Sequence, residues 1–273
     1  MTATATATAD SKDMTYKDVT EMSGDEISAE QLQRLCNRYY WAGEYAREKD
    51  VVEVACGTGA GLGYLQAVAR SVQACDVAEE VLGAPRAHYG SRIRIDTADA
   101  VKLPYGDHSA DVVLMFEAIY YLPDAAAFLR EARRVLRPEG MVLIASANKD
   151  LYDFNPSPFS HAYYGAADFA ALAESAGFTV AELAGGTPLK RVSLRQRVLR
   201  PVKRIVVHLG LMPKTTAGKK WMKRLVFGQM VRLPDEIGAS TCPYEKPQPI
   251  SGEGPNREYK VLFCAMRKKD GTN

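Results

Sequence analysis

The 273-residue chain has a globular composition, with 47% hydrophobic and 25% charged residues and a formal net charge of +2. This length suits one large domain, or one domain with an appendage. No apolar run is long enough for a transmembrane helix, and the Thr/Ala-rich residues 1–20 lack the hydrophobic stretch of a secretory signal. We therefore predict a cytoplasmic protein with a disordered N-terminal tail and reduced cysteines, and with no metal site because its histidines are widely spaced.

Strand-like and helix-like stretches alternate along the chain. In chain order we predict helix 35–45, strand 50–56, helix 61–70, strand 71–77, helix 78–90, strand 92–100, strand 110–122 with a turn at its end, helix 124–136, strand 141–147, helix 165–178, strand 179–185 and strand 258–268. This alternation is typical of crossover connections, so we expect an α/β fold with a doubly wound, mostly parallel, seven-stranded sheet. In such sheets the ligand lies beyond the carboxyl ends of the strands.

Four glycines follow the strand that starts at residue 50, in the sequence VVEVACGTGAGLG. Gly57 and Gly59 fit the first two positions of the dinucleotide pattern G-x-G-x-x-G, but Leu62 stands where the third glycine should be. No Gly-Lys-Ser/Thr follows, which excludes a P-loop. Glu53 precedes the turn, and Asp76 ends the next strand, where a carboxylate can accept hydrogen bonds from ribose hydroxyls. The pattern therefore disfavours both a nicotinamide dinucleotide and a nucleotide phosphate.

Four stretches in the same order resemble the class I S-adenosylmethionine-dependent methyltransferases, a broad group that includes quinone and small-molecule enzymes. They are EVACGTG, TADAVKLPYGDHSADVV, MFEAIYYLPD and FLREARRVLRPEGMVLIA. The resemblance covers the chain from Val51 to Gly185 and the last strand. It implies a Rossmann-like fold, S-adenosylmethionine as the cofactor and S-adenosylhomocysteine as its product. Ala55 stands where the family has its first glycine, and we expect its φ to be negative.

The resemblance also implies which residues contact the cofactor. Asp76 would accept from the ribose hydroxyls, Val77 would cover the adenine and Asp99 would accept from the adenine amine. The full predicted set is Tyr39, Glu53, Ala55, Gly57, Gly59, Asp76, Val77, Asp99, Ala100 and Phe116. Four of these have an alternative interpretation, Asp99 as a turn carboxylate, Tyr39 as a core aromatic, and Gly57 and Gly59 as plain turn glycines.

The implied reaction is methyl transfer to an oxygen, or to a nitrogen as second choice, of a small-molecule acceptor such as a sugar, a glycolipid or a specialised metabolite. A neutral hydroxyl needs a general base, for which His161, Glu117 and Tyr121 are candidates, whereas an anionic oxygen needs none. Tyr120 and Arg195 are the predicted acceptor contacts. Glu117 as a helix-capping acid and His161 as a structural histidine are the alternatives. For the whole protein, the alternatives are a membrane-associated lipid or quinone methyltransferase and a noncatalytic cofactor-binding regulator.

The predicted domains divide the chain behind its N-terminal tail into three parts. A cofactor-binding core covers residues 21–185, a basic helical insertion covers 186–257, and the final strand and tail cover 258–273. We expect every cofactor contact to precede Gly140.

The insertion contains a cationic block. Residues 183–234 carry thirteen Lys and Arg and no Asp or Glu, so the rest of the chain is acidic overall. The block is either a solvated surface, a cap that attracts an anionic acceptor, or a surface that rests on the inner face of a membrane through residues 190–232. Nucleic acid is disfavoured as a partner because FEAIYY lacks the motifs of base-methylating enzymes.

Overall fold

The structure is a computed structural model that describes residues 22–152, 154–157, 159–189 and 229–269. Its strands are β1 (Glu26–Ser28), β2 (Asp50–Val54), β3 (Ser71–Asp76), β4 (Arg94–Thr97), β5 (Ala110–Phe116), β6 (Leu136–Ala147), β7 (Phe178–Pro188), β8 (Met230–Arg232), β9 (Gln248–Pro249) and β10 (Tyr259–Lys268). Its α-helices are α1 (Ala29–Ala46), α2 (Leu62–Val68), α3 (Glu79–Tyr89), α4 (Ala125–Val135) and α5 (Asp168–Ser175). Short 3-10 turns cover Gly90–Arg92 and Ile119–Tyr121.

The main sheet has eight strands in the order β4-β3-β2-β5-β6-β10-β7-β9. Strands β2 to β6 pair parallel, whereas β10 lies antiparallel between β6 and β7. The α/β architecture and the mostly parallel sheet are thus confirmed. The eighth strand, β9, differs from the predicted seven. Its two residues, Gln248 and Pro249, lie in Pro-rich sequence that indicates a loop, and they pair only at the edge of the sheet, where proline is tolerated.

Helices cover both faces of this sheet. On one face α1, α2 and α3 build a core in which Trp41 is fully buried, its ring 5.2 Å from that of Phe263. On the other face α4 and α5 contribute Phe128 and Phe169. Because successive residues of a strand point to opposite sides, β10 sends Phe263 into one core and Met266 into the other. Burial on both faces explains why the central strands are continuous apolar runs.

Helix α1 begins at a capping box. The Ser28 hydroxyl accepts from the backbone N of Gln31 at 3.1 Å, and the Gln31 side chain accepts from the backbone N of Ser28 at 2.8 Å. These two bonds satisfy N–H groups that a helix start otherwise leaves unpaired. They fix where α1 begins and so where Arg38 and Tyr39 lie, at the carboxyl ends of the parallel strands.

The described part of the predicted insertion is not helical. β7 continues to Pro188, beyond the predicted boundary at residue 185, and residues 229–257 form β8, β9 and irregular chain. We call residues 229–257 the return segment; its β8 pairs with β1 in a separate two-stranded sheet. Residues 190–228, which hold most of the cationic block and Arg195, lie outside the described residues. Within the described ranges, no helix has the length and apolar character needed to cross a membrane.

A cluster of charged side chains joins the strands at the edge opposite their carboxyl ends. Arg70 donates to both carboxylate oxygens of Asp50, at 2.9 and 2.7 Å, and Arg137 lies 2.9 Å from both Asp50 and Asp111. The Arg70 guanidinium holds the pKa of the Asp50 carboxyl well below its usual range. The cluster ties the starts of β2 and β5 to the start of β6.

We expect Asp50→Asn to lower the free energy of unfolding by about 1 kcal/mol at neutral pH, the upper range for pairs near the surface. Because folding lowers the Asp50 pKa, its contribution is present above the unfolded pKa of about 4 and is lost as pH falls below it. The gap between variant and wild type in urea unfolding should therefore shrink from about pH 6 to about pH 3. Glu79→Gln, which breaks the exposed pair with Arg86, is the control and should change stability less. A gap that is constant with pH would contradict this account.

Candidate functional site

A cavity of about 400 Å³ lies at the carboxyl ends of β2, β3, β4 and β5. Its walls come from the loops that follow these strands, from α1 and from the return segment. The lining includes Arg38, Tyr39, Glu53, Ala55, Gly57, Asp76, Val77, Asp99, Ala100, Phe116, Glu117, Tyr121 and Leu233. This is where parallel α/β sheets bind their ligands.

The turn after β2 brings the backbone close to the cavity. Gly57 and Gly59 have φ of 54° and 72°, in the left-handed region that favours glycine. The Asp76 carboxylate accepts from the backbone N of Gly57 at 2.8 Å and of Ala78 at 2.9 Å, so it ties this turn to the end of β3. From the other side, the Tyr89 hydroxyl donates to the Gly59 carbonyl at 2.8 Å. Gly59 thus shapes the turn but is not itself part of the cavity lining.

Ala55 has a φ of 60°, and the expectation of a negative angle is therefore wrong. A Cβ atom in this region costs roughly 1–2 kcal/mol. Two hydrogen bonds of the next residue hold Ala55 in this backbone conformation. The Cys56 backbone N donates to the Cys75 carbonyl at 3.1 Å, and the Cys56 carbonyl accepts from the Gly59 backbone N at 3.0 Å. The strand-to-turn geometry, rather than the residue at position 55, sets the angle.

Glu53 is a buried carboxyl near the end of β2, only 1% exposed. The Tyr39 hydroxyl donates to Oε1 at 2.5 Å, whereas Oε2 has no hydrogen-bond partner among the described residues. Burial raises the pKa of Glu53 to about 8. The Tyr39 ring fills the space that a side chain at Gly61 would need, and it meets Phe116 edge-on at 5.4 Å. Tyr39 is therefore both a core aromatic and a cavity residue.

Glu117 follows β5 and faces α1. Its φ is 51°, Oε1 accepts from Arg38 at 2.8 Å, and Oε2 accepts from the Tyr120 hydroxyl at 3.1 Å. Both carboxylate oxygens are thus engaged within the protein. No sequence pattern predicts Arg38 as a cavity residue, because a single arginine on an amphipathic helix is common. Only the packing of α1 against the loop after β5 brings it to the cavity.

The loops after β3 and β4 form another wall of the cavity. The backbone N of Ala98 donates to the Asp76 carbonyl at 2.9 Å, which holds these two loops together. Asp99 Oδ1 accepts from the backbone N of Val101 at 3.1 Å, so Asp99 is a turn carboxylate as well as a lining residue. Val77 lines the cavity and is 52% exposed, an apolar surface that a flat ring could cover.

The return segment supplies a wall that the sequence does not predict. Leu233 lines the cavity, and its carbonyl accepts from the backbone N of Gly24 at 2.9 Å. Close by, the backbone N of Ile237 donates to the Ala60 carbonyl in the glycine turn at 2.7 Å. The cavity lining therefore extends beyond Gly140, while the expectation that every cofactor contact precedes Gly140 stays a prediction. The pairing of β8 with β1, which are far apart in the sequence, positions this wall. No local sequence pattern predicts such a pairing.

Comparisons with known proteins agree with this geometry. A sequence family described as "Methyltransferase domain" matches residues 52–144. A probable S-adenosylmethionine-dependent methyltransferase of Mycolicibacterium smegmatis is 37% identical over 141 residues, which cover 50% of this chain and 54% of that protein. Residues 52–144 therefore match a methyltransferase domain, and this part of the chain is similar to S-adenosylmethionine-dependent methyltransferases.

Two further relatives extend over more of the chain. An O-methyltransferase, cnsE, of Penicillium expansum is 23% identical over 252 residues, 86% of this chain and 83% of that protein. The crystal structure of the [4+2]-cyclase SpnF superposes with a TM-score of 0.55 at 18% identity, covering 92% of this chain and 86% of that one. The structural likeness concerns the fold alone. The chain spans about half the length of the first curated relatives it matches.

S-adenosylmethionine is the cofactor named for these relatives, and the cavity fits it. The free oxygen of Glu53 suits the ammonium group, and the Arg38 guanidinium suits the carboxylate of the same amino acid moiety. Asp76 stands where ribose hydroxyls would reach it, and Val77 and Asp99 lie on the wall that suits an adenine ring. The left-handed glycines leave room for the backbone to approach the ligand.

The methyltransferase domain brings only two of the three predicted general bases to the cavity. Glu117 is held by Arg38 and Tyr120, and burial raises the pKa of Tyr121, so the Tyr121 hydroxyl stays protonated and acts as a donor. His161 is exposed and outside the cavity lining, which corrects its predicted place; its backbone N bonds the Tyr120 carbonyl at 2.8 Å. Tyr120, a predicted acceptor contact, lies behind Glu117, 8% exposed and outside the lining.

Ala55→Gly should raise the free energy of unfolding of the protein by about 1 kcal/mol, because glycine adopts a positive φ without a steric penalty. Ala127→Gly, inside α4, is the matched control and should lower it by about 1 kcal/mol. Denaturant unfolding of both variants measures the two effects. Destabilisation by Ala55→Gly would mean that the methyl group gains more from packing than it loses to backbone strain.

Proposed function

We propose that this protein is an S-adenosylmethionine-dependent methyltransferase whose acceptor is a small molecule with a reactive oxygen, or a nitrogen as second choice. The charge of the cavity carries the proposal. Among the described lining residues, four carboxyl groups (Glu53, Asp76, Asp99 and Glu117) stand against one guanidinium, that of Arg38. Such a lining favours a ligand with a sulfonium and an ammonium group.

The same lining bears on the acceptor. A neutral hydroxyl enters an acidic cavity at lower electrostatic cost than an anion does. We infer that the acceptor is a hydroxyl compound, with a sugar, a glycolipid or a specialised metabolite as the candidate classes. The Penicillium expansum relative is named as an O-methyltransferase, which supports oxygen as the methylated atom. An anionic acceptor would need cations beyond the described lining, and residues 190–228 carry them.

The protein's contribution to the reaction is mainly positioning. When bound, the cofactor supplies an electrophilic methyl group on sulfur. Glu53 and Arg38 orient its amino acid end, and the Tyr121 hydroxyl offers a hydrogen bond to the acceptor. Glu117 is the general-base candidate that the described lining retains, and its hydrogen bonds with Arg38 and Tyr120 hold the carboxylate in place. We therefore expect most of the rate gain to come from proximity and alignment.

Two measurements test the proposed activity. Calorimetry should show binding of S-adenosylmethionine and S-adenosylhomocysteine. Incubation with a panel of hydroxyl, amine, lipid and quinone acceptors should release S-adenosylhomocysteine and give a methylated product by mass spectrometry. Cofactor binding without turnover across the panel would favour a regulatory protein. Heat of binding with NADH, and none with either sulfur ligand, would overturn the proposal.

Cofactor affinity should rise with pH through Glu53. In the free protein this carboxyl has a pKa of about 8, so it is largely protonated at neutral pH. An ammonium group binds the ionised form, so binding must release a proton. The association constant should then rise up to tenfold per pH unit from about pH 6 to about pH 8. Calorimetry in buffers of different ionisation enthalpy counts the released protons.

Two variants identify the group that releases this proton. Glu53→Gln should bind the cofactor more weakly at pH 8 and should release no proton. Asp99→Asn, the matched change at an exposed carboxyl of the same cavity, should keep the pH dependence. Proton release that persists in Glu53→Gln would assign the titration to another group.

The described residues that flank 190–228 are each hydrogen-bonded to the core. The backbone N of Leu189 donates to the Glu258 carbonyl at 2.8 Å, just after β7 ends. Strand β7 runs in the same direction as β5 and β6, so its carboxyl end lies on the same side of the sheet as theirs. At the other end, the Gln229 carbonyl accepts from Ala29 at 2.9 Å, shortly before Leu233 reaches the lining. These attachment points support the proposal that the cationic block caps the acceptor side of the cavity.

We expect the triple change of Arg195, Arg197 and Arg200 to Gln to raise the acceptor KM and to leave cofactor affinity nearly unchanged. The rise should shrink as salt increases, because screening already weakens the wild-type attraction. Leu233→Ala is the complementary control and should weaken cofactor binding, since Leu233 lines the cavity. Altered vesicle binding with unchanged acceptor kinetics would make the block a membrane-facing surface, and no effect on either would make it a solvated one.

A further inference from the structure

The return segment lies along α1 in a fixed register. The Gln33 side chain donates to the Pro243 carbonyl at 2.7 Å, and the Tyr40 hydroxyl donates to the Gly238 carbonyl at 2.6 Å. Residues 33 and 40 are two turns apart on one face of the helix. The segment is therefore bonded to this face on both sides of the helical turn that lies between them.

Cys36 and Cys242 meet between these two anchors. Cys36 lies on the same face of α1 as Gln33 and Tyr40, three residues after the first and four before the second. On the return segment, the backbone N of Cys242 donates to the Tyr40 hydroxyl at 3.3 Å. Cys242 packs against the core cluster that contains Cys36, and the neighbouring Cys242 thiol contributes, after burial, to the raised pKa of Cys36. Hydrogen bonds around the pair thus fix the position of both thiols.

The two thiols differ in their exposure. Cys36 is fully buried, and burial raises its pKa to about 12. Cys242 is only partly buried, so a small oxidant in solution reaches it first. This difference in exposure indicates that an oxidant reacts first with Cys242, and that the Cys36 thiol then reacts with the oxidised Cys242 to form a disulfide.

We propose that Cys36 and Cys242 form a reversible disulfide that fastens the return segment to α1, with a peroxide as the oxidant. The Cys242 sulfur attacks the O–O bond of hydrogen peroxide, giving a sulfenic acid and one water. The Cys36 sulfur then attacks the sulfenic sulfur, the S–O bond breaks, and the departing hydroxide takes the Cys36 proton as a second water. Two thiols lose two electrons in total, and one peroxide is reduced.

The bond would join two walls of the cofactor cavity. Helix α1 carries Arg38 and Tyr39, and the return segment carries Leu233, whereas the remaining lining comes from loops of the sheet. A disulfide between these walls restricts their separation without touching the cavity itself. The proposal does not depend on which acceptor is methylated or on whether methyl transfer occurs.

Peptide mapping tests the bond. Reduced protein treated with hydrogen peroxide and digested without reductant should give one cross-linked pair of peptides, containing Cys36 and Cys242 and lacking two hydrogens. Dithiothreitol should reverse the link. The melting temperature should rise by roughly 5 °C on oxidation, because the bond closes a loop that spans most of the chain.

Variants separate this pair from the other thiols. Cys242→Ser should lose both the cross-link and the rise in melting temperature, and Cys56→Ala should keep both. Cys36→Ser changes a fully buried residue and can fail to fold, so the decision rests on wild type and Cys242→Ser. Oxidation of Cys242 to a sulfinic acid without a cross-link, or a cross-link to a different cysteine, would overturn the proposal.

Discussion

A buried carboxyl with one bonded and one free oxygen organises the cavity. An ionised carboxylate is costly to desolvate, so burial keeps Glu53 protonated over much of the neutral range, while Tyr39 holds one of its oxygens. That contact requires α1 to be fixed, and the capping box at Ser28 and the close approach of the Tyr39 ring to Gly61 fix it. A cation at the free oxygen would replace the lost solvation, which is the physical basis for the proposed ammonium contact.

The fold could be predicted because the sequence patterns that mark its strands, helices and glycine turn are local. Continuous apolar runs mark strands that are buried on both faces, and the spacing of Gly57 and Asp76 marks the turn and the end of the next strand. The positive φ of Ala55 was not predictable, because bonds from neighbouring strands impose it. Arg38 reaches the cavity only through tertiary packing. His161 follows a strand whose end lies on the ligand side, but the course of a loop after a strand does not follow from its sequence.

The residues that line the cavity come from two parts of the chain, one inside and one outside the matched domain. The matched methyltransferase domain covers residues 52–144, which supply the glycine turn and the acidic residues at the strand ends. Helix α1 and the return segment lie outside that range, yet they close the cavity. Because one fold hosts many chemistries, the choice of acceptor is expected to reside in such added walls rather than in the sheet.

The position of β10 has a consequence for synthesis. β10 is the last described strand in the chain, yet it lies inside the sheet, between β6 and β7. While a ribosome is still translating the return segment, β6 and β7 each present an unpaired hydrogen-bonding edge and an incomplete apolar face. Folding of this half of the sheet must therefore wait until β10 has left the exit tunnel. Slow translation of the return segment and β10 prolongs the exposure of these aggregation-prone edges. Chaperones that bind unpaired strands can act during this interval.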